Sequence, residues 1–255
     1  HLKVVDVSAD FRLADTHLYE QTYGRAHAAP ALQEEAVYGL TEHVRDAVRA
    51  SRLVANPGCY PTGPQLALKP LLHDQAIAPD GIVIDAKSGV SGAGRAAKES
   101  LLFTEVNEGM HAYGIGTHRH LPEIEQGLSE AAGEAVRVSF TPHLIPMSRG
   151  ILATMYVRLA DGADRGTLEQ VLTESYAGEP FVRLRPPSQP PSTREVRGTN
   201  LCLMSVHDDR VHGHAVIVAV LDNLVKGAAG QALQNLNLML GLEETAGLGA
   251  SAVFP

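Results

Sequence analysis

The stretch VANPGCYPTGPQLALKPLL (residues 54–72) is the most informative part of this sequence, because it places one of two cysteines directly after Asn-Pro-Gly. The residues RLVANPG (52–58) predict a short buried strand that ends in a tight turn. The apolar residues that follow have helical spacing, so we expect a helix to begin between Pro61 and Gly63. Cys59 is therefore predicted to lie at a strand-to-helix corner.

Two interpretations of Cys59 are open from this position. The free amides and the dipole of a helix N-terminus stabilise a thiolate and lower the pKa of a cysteine, which would make Cys59 a nucleophile. Alternatively, Cys59 is a small apolar residue packed into the corner. Local spacing alone does not separate the two. The other cysteine, Cys202, sits inside an apolar run and is predicted to be a core residue.

A cysteine nucleophile needs an acid–base partner, and GTHRHLPEIEQGL (116–128) offers one. One interpretation makes His118 a proton shuttle. A second makes His118 and His120, with Glu123 or His111, ligands of a metal. A third makes this segment a helix start with surface histidines, with its proline at an early helical position. No second pair of ligands at metal-binding spacing is evident, so we expect no metal site.

The loop KSGVSGAGR (87–95) follows a predicted strand and is rich in glycine and serine. Its backbone amides and hydroxyls could bind a phosphate or a cofactor amide. The spacing matches neither the dinucleotide fingerprint nor a Walker A loop, so a plain flexible loop is the alternative. Arg95, Arg119 and Arg149 are candidates for binding an anionic substrate, although each alone would be interpreted as a surface charge.

Composition limits the possible partners. The 255 residues carry a formal net charge of −8, which argues against broad binding to nucleic acid or to an anionic membrane. No apolar run approaches the ~18 residues of a membrane span. Two cysteines far apart do not form a disulfide framework, and a reducing cytoplasm is the expected location.

The order of predicted elements indicates the fold class. Strands and helices alternate early in the chain and strands cluster later, which is typical of an α/β part joined to an α+β part. The further predicted elements are a strand at 81–89, paired strands at 136–146 and 151–160, a helix and strand within 165–184, a hairpin at 201–223 and a long helix at 223–242.

Together these segments resemble the N-acetyl-γ-glutamyl-phosphate reductases, a family of arginine biosynthesis. The matching stretches occur in family order over nearly the whole chain: VVDVSADFRL, VYGLTE, ANPGCYPT, SGVSGAGR, HRHLPEIEQ, TPHLIPMSRGILAT, PPSTREVRGTN and AVLDNLVKGAAGQALQNLNLMLG.

The resemblance implies NADPH-dependent reduction of an acyl phosphate to an aldehyde with release of phosphate, in a cytoplasmic homo-oligomer (a dimer or tetramer). It places the nucleophile at Cys59 and the acid–base histidine at His118. Ser88 and Gly89 are expected beside the nicotinamide and Asn223 at its carboxamide. The residues expected at the substrate are Arg119, Arg149 and Glu123.

The resemblance also implies a fold: an incomplete Rossmann-type dinucleotide domain and an α+β catalytic domain of the glyceraldehyde-phosphate dehydrogenase type. We expect residues 1–58 to be the remainder of the dinucleotide domain, because the family's glycine fingerprint is missing from this sequence. Residues 59–222 would form the catalytic and oligomerisation domain, and 223–255 a helix returning to the first domain. Alternative functions are another acyl-phosphate reductase such as an aspartate-semialdehyde dehydrogenase, a hydrolase using Cys59 and His118, or a non-catalytic subunit.

Overall fold

The computed structural model of this protein describes residues 2–94 and 96–252. The outermost residues of the predicted domains (1 and 253–255) and the candidate cation Arg95 lie outside the described residues.

The strands are β1 (Val4–Asp6), β2 (Val37–Tyr38), β3 (Leu53–Ala55), β4 (Ile82–Gly89), β5 (His111–Ala112), β6 (Val138–Ile145), β7 (Ile151–Arg158), β8 (Val182–Leu184), β9 (Cys202–Asp208) and β10 (His214–Leu221). The α-helices are α1 (Thr16–Tyr23), α2 (Pro30–Gln33), α3 (Thr41–Ala50), α4 (Cys59–His73), α5 (Phe103–Val106), α6 (Leu121–Ala132), α7 (Arg165–Ser175) and α8 (Gly230–Met239). A π-helical segment occupies Val225–Ala229. In this described part of the chain, no helix is long and apolar enough to span a membrane.

The described strands form two sheets. A small parallel sheet has the order β1-β3-β2, and a larger mixed sheet has the order β5-β6-β4-β7-β10-β9-β8. The predicted division into an alternating early part and a strand-rich later part is therefore confirmed. The predicted hairpin is also confirmed, because β9 and β10 pair antiparallel.

The predicted pairing of the strands at 136–146 and 151–160 is wrong, because β4 lies between them. It pairs parallel with β6 and antiparallel with β7. The chain between β6 and β7 must therefore cross the end of β4, and Gly89 makes that crossing possible. A Cβ on Gly89 would lie 2.7 Å from the backbone nitrogen of Arg149 and 2.8 Å from the carbonyl oxygen of Met147.

Helix α4 begins at Cys59, slightly before the predicted start. It contains Pro64 and Pro70, which disfavour a helix interior. Twelve of its fifteen residues are buried, so tertiary packing rather than intrinsic propensity explains the helix. It packs against α6 on one side and against α7 and the large sheet on others.

The predicted long helix at 223–242 is present in two parts, since the π-helical segment precedes α8. Helix α8 packs against α3 and β1. Leu238 and Met239 of α8 form an apolar cluster with Val48 and Val54. The division into domains at residues 58 and 222 stays a prediction.

Candidate active site

Cys59 is the first residue of α4, and Gly58 is the helix N-cap. The cysteine is half-buried and forms no disulfide. Burial raises the pKa of the Cys59 thiol to about 11, although the positive charge of Arg12 and the backbone N–H of Tyr60 lower it. The backbone at the helix start does lower this pKa, but the loss of solvation outweighs it, so the net pKa is raised. Without another group to accept its proton, Cys59 is a thiol at neutral pH.

His118 lies among aromatic rings next to this corner. Its ring centroid is 5.4 Å from that of Tyr60, 5.5 Å from Tyr113 and 5.6 Å from Phe140. Its Nδ1 accepts a hydrogen bond of 3.1 Å from the backbone N–H of His120. In the neutral ring the proton is consequently on Nε2, which makes this atom a hydrogen-bond donor. Burial, and then the charge of Arg119, lower the pKa of His118 to about 4.

His120 differs from His118 because it is buried, with 6% of its surface exposed. Its Nε2 lies 3.4 Å from Arg12 Nη1, and its Nδ1 has no partner among the described residues. Burial lowers the pKa of His120 well below its usual value, so the ring is neutral. Among residues 2–94 and 96–252, no group of three or more His, Cys, Asp or Glu side chains is arranged to hold a metal.

A cavity of about 480 Å³ opens beside His118. Its lining residues are Gly92, Ala93, Lys98, Ser100, Leu101, His111, Tyr113, His118, Arg119 and Leu144. The lining contains two cationic side chains, Lys98 and Arg119, and no acidic residue from the described part of the chain, so the cavity suits an anionic ligand. Sequence reasoning missed Lys98 and Tyr113. The one indication of Lys98 in the sequence is its position shortly after the glycine-rich loop.

Arg149 does not line this cavity. Its Nη2 lies 3.0 Å from Asp222 Oδ2, and Asp222 is fully buried. The same Asp222 oxygen accepts a hydrogen bond of 2.7 Å from the backbone N–H of Gly198. The guanidinium of Arg149 is thus engaged with a buried carboxylate, and its expected role at the substrate stays a prediction.

Glu123 is likewise engaged by protein groups. It is 1% exposed, and its Oε1 accepts hydrogen bonds from the backbone N–H of Gly58 at 2.7 Å and from the hydroxyl of Tyr38 at 2.8 Å. The structure places Glu123 beneath the turn that precedes Cys59, and its expected contact with the substrate stays a prediction.

The structure places the predicted cofactor residues Ser88 and Asn223 next to Gly92, which lines the cavity, although Ser88, Gly89 and Asn223 do not line it themselves. Asn223 Oδ1 accepts a hydrogen bond of 2.7 Å from the backbone N–H of Gly150, and its Nδ2 donates to Ser91 Oγ at 2.9 Å. Gly92 lines the cavity, and a Cβ on it would lie 2.7 Å from Ser88 Oγ. The loop after β4 and Asn223 are thus joined by a hydrogen bond directly beside Gly92 of the cavity lining.

Comparison with known proteins shows the family and the fold of this chain. Residues 59–223 match the semialdehyde dehydrogenase dimerisation domain. Aspartate semialdehyde dehydrogenase II from Vibrio cholerae has the same fold, with a TM-score of 0.65 at 20% identity over 82% of this chain and 69% of that chain. The fold and site thereby define an oxidoreductase of the dinucleotide-dependent semialdehyde dehydrogenase class, which confirms the predicted glyceraldehyde-phosphate dehydrogenase type of fold.

The sequence relatives identify the family within that class. The chain is 59% identical over 254 residues to the N-acetyl-gamma-glutamyl-phosphate reductase of Rhodospirillum rubrum, and covers 72% of that protein. It is also 59% identical to the probable chloroplastic N-acetyl-gamma-glutamyl-phosphate reductase of Oryza sativa, and covers 61% of it. In both cases all of this chain is matched. The chain belongs to the N-acetyl-γ-glutamyl-phosphate reductase family.

Proposed function

We propose that this protein reduces N-acetyl-γ-glutamyl phosphate to N-acetylglutamate 5-semialdehyde and phosphate, with NADPH as reductant, in arginine biosynthesis. The observation that carries the proposal is the contact of His118 with the ring of Tyr60, the residue that directly follows Cys59. Tyr60 directly follows Cys59 in the first turn of α4 and makes an edge contact with His118. His118 in turn lines a cavity with cationic side chains.

In the first step, Cys59 Sγ attacks the acyl carbon and the carbon–oxygen bond to phosphate breaks. Because the pKa of Cys59 is about 11, the thiol must lose its proton as the bond forms. The phosphate group of the dianionic acyl phosphate takes up this proton as the carbon–oxygen bond breaks and leaves as HPO₄²⁻, so charge and atoms balance. The product of the step is a thioester on Cys59.

In the second step, the thioester carbon is reduced and negative charge develops on its oxygen. The neutral His118 ring donates a hydrogen bond from Nε2 to this oxygen and stabilises the charge. The carbon–sulfur bond then breaks, the aldehyde leaves, and the Cys59 thiolate takes a proton from solvent. His118 therefore acts in this step as a hydrogen-bond donor and remains neutral.

Ser88, Gly89 and Asn223 are the residues proposed to hold the nicotinamide end of the cofactor. Their position supports this role, because Ser88 and Asn223 lie next to Gly92 of the cavity lining and Asn223 Nδ2 donates a hydrogen bond to Ser91 Oγ of the same loop. When bound, the cofactor supplies a hydride. The phosphorylated version of the cofactor, NADPH, is part of the proposal, as is a contact between Arg119 and an anionic group of the substrate.

We further propose that the protein is a homodimer or tetramer of the cytoplasm. The face of the large sheet opposite α4 supports the assembly, because Val83, Tyr156 and Val216 are neighbours across β4, β7 and β10. Val83 is 38% exposed and Tyr156 is 40% exposed, which leaves an apolar strip open to a second copy.

The proposal is tested by phosphate-dependent NADPH formation from N-acetylglutamate semialdehyde in the full-length chain. We expect activity in the wild-type protein and its loss in Cys59→Ser with the fold retained. Aspartate semialdehyde in parallel tests the nearest alternative substrate, and ester hydrolysis without nicotinamide tests a hydrolase. Full activity in Cys59→Ser, or preference for aspartate semialdehyde, would overturn the proposal.

A further inference from the structure

A buried ion pair lies directly beneath the turn that presents Cys59. Arg12 Nη1 is 3.6 Å from Glu123 Oε2, and their side chains are 9% and 1% exposed. Arg12 comes from the segment after β1, whereas Glu123 is in the first turn of α6. Each of them also binds the backbone of the turn.

The two backbone contacts are on either side of Pro57. Arg12 Nε donates a hydrogen bond of 2.8 Å to the carbonyl oxygen of Asn56. Glu123 Oε1 accepts a hydrogen bond of 2.7 Å from the N–H of Gly58, the residue before the nucleophile. The peptide groups before and after the proline are thus fixed by opposite charges, and charged partners make the stronger hydrogen bonds.

Gly58 is the residue that lets the charged groups come so close. A Cβ at this position would lie 2.7 Å from His120 Nε2 and 3.0 Å from both Arg12 Nη1 and Glu123 Oε2. Any larger residue would push the turn away from these groups. The ion pair can therefore lie against the turn because residue 58 carries no side chain.

Further hydrogen bonds fix the orientation of the carboxylate of Glu123. The hydroxyl of Tyr38 donates to Oε1 at 2.8 Å, and Gln65 Nε2 donates to the Glu123 backbone oxygen at 2.9 Å. Gln65 belongs to α4, the helix that Cys59 begins. The carboxylate is thereby held by Tyr38 of β2 and by the turn itself, whereas Gln65 of α4 holds the backbone of the same residue.

We infer that Arg12 and Glu123 are positioning residues that set the place and the electrostatic environment of the Cys59 sulfur. The inference deepens the proposed function and rests on it for the role of Cys59 as nucleophile. Neither residue touches the substrate. The groups that face Cys59 are Arg12 from the segment after β1, Glu123 from α6, Tyr60 from α4 and Tyr113 from the segment after β5.

The two charges act on the thiol in opposite directions. The guanidinium of Arg12 lowers the pKa of Cys59 and the carboxylate of Glu123 raises it. Glu123→Gln keeps an acceptor for the Gly58 N–H but removes the negative charge, so it should lower the pKa of Cys59. Arg12→Met should raise it. If the pair had a purely structural role, there would be no reason for the two variants to shift the pKa of Cys59 in opposite directions.

The first measurement is the rate of Cys59 alkylation by iodoacetamide against pH in the full-length protein, without substrate. We expect the apparent pKa to fall in Glu123→Gln and rise in Arg12→Met. The matched control is Glu130→Gln on the same helix, whose side chain is 58% exposed and pairs with Lys69. Shifts in the same direction in both variants, or no shift in either, would refute the inference.

The second measurement separates positioning from substrate binding. Glu123→Ala should lower kcat by about 10- to 100-fold with KM nearly unchanged, because the sulfur is displaced. Glu123→Gln should recover most of that kcat. A large rise in KM at constant kcat, or equal losses in the two variants, would instead contradict the inference.

The two measurements also separate this inference from the proposed function. The apparent pKa of alkylation could shift in opposite directions in the two variants of a protein that does not reduce the proposed substrate. That result would support the positioning role of the pair and refute the proposed function. If Glu123→Ala does not fold, as circular dichroism would show, the alkylation pair of Glu123→Gln and Arg12→Met decides the inference alone.

Discussion

Gly227 packs directly against Cys59: a Cβ built on Gly227 would lie 2.8 Å from the Cβ of Cys59. Gly227 belongs to the π-helical segment Val225–Ala229, and such segments frequently occur at functional sites. The backbone N–H of Gly227 is bound to the carbonyl oxygen of Asp222 at 2.9 Å, which fixes the segment to the end of β10. The C-terminal part of the chain therefore determines how far Cys59 can move towards the core.

Gly227→Ala is expected to displace Cys59 and to lower kcat by at least about tenfold, since a nucleophile moved by even a fraction of an ångström loses alignment. The control is Gly63→Ala in α4, where a Cβ would meet its nearest neighbour, Leu221, at an ordinary 3.5 Å. Steady-state kinetics with thermal unfolding of both variants measure the effect. Wild-type kcat in Gly227→Ala would show that Cys59 does not depend on this contact.

The local features of the site could be predicted from sequence. Asn-Pro-Gly before an apolar helical run was enough to place Cys59 at a strand-to-helix corner, and the His-x-His motif before a proline was enough to place His118 at the start of α6. Both inferences concern residues close together in the chain, where turn chemistry and periodicity act directly.

The remaining features depend on contacts between distant segments. Nothing in the spacing of the strands showed that β4 would insert between β6 and β7, because that order depends on the crossing at Gly89. The acidic residue Glu123 was visible, but its direction was not, and it proved to face Gly58 rather than the cavity. The net direction of the Cys59 pKa could not be derived from the helix start alone for the same reason, since burial is a tertiary property.

The pH dependence of the reaction should reflect the unusual environment of His118. Because its pKa is about 4, His118 is neutral from about pH 5 upward, and protonation at Nδ1 as pH falls breaks its hydrogen bond from His120. We expect the acidic limb of kcat/KM to fall near pH 4 to 5 rather than near 6.5. Rates between pH 4 and 9, with circular dichroism at each pH, test this. The acidic limb should be absent from the residual activity of His118→Asn. An acidic limb near pH 6.5 in the wild type would contradict the assignment of this limb to His118.

Arg119 and Arg149 should respond differently to the same substitution. Arg119 lines the cavity, so Arg119→Gln is expected to raise KM several-fold for an anionic substrate. Arg149 pairs with buried Asp222, so Arg149→Gln should instead lower the free energy of unfolding, by about 3 kcal/mol where an ion pair to a buried carboxylate is broken. Michaelis–Menten kinetics and urea unfolding of the two variants separate the effects. A larger rise in KM in Arg149→Gln than in Arg119→Gln would restore Arg149 to the substrate site.

The ion pair between Lys226 and Glu42 should dominate the stability of the contact between the π-helical segment and α3. Both side chains are 0% exposed, and Lys226 Nζ donates to Glu42 Oε1 at 2.6 Å and to Gln234 Oε1 at 2.8 Å. Burial raises the pKa of Glu42, but the charge of Lys226 and the hydrogen bonds together lower it by more. The net pKa therefore lies below its usual value, and the pair is ionised at neutral pH.

Lys226→Met leaves the charge of Glu42 buried without a partner and should cost about 3–5 kcal/mol of unfolding free energy at pH 7. The loss should already shrink at pH 5, because the lone buried Glu42 of the variant can take up a proton, whereas the wild-type pair keeps its stabilisation until pH falls through the depressed carboxylate pKa. The double variant Lys226→Met/Glu42→Leu removes both charges and should recover much of the loss. Lys69→Met, which breaks the 3.5 Å pair with the exposed Glu130, is the control and should cost no more than about 1 kcal/mol. Urea unfolding at pH 5 and pH 7 measures the unfolding free energies of all the variants. Equal losses in Lys226→Met and Lys69→Met would mean that the buried pair does not hold α3 against the π-helical segment.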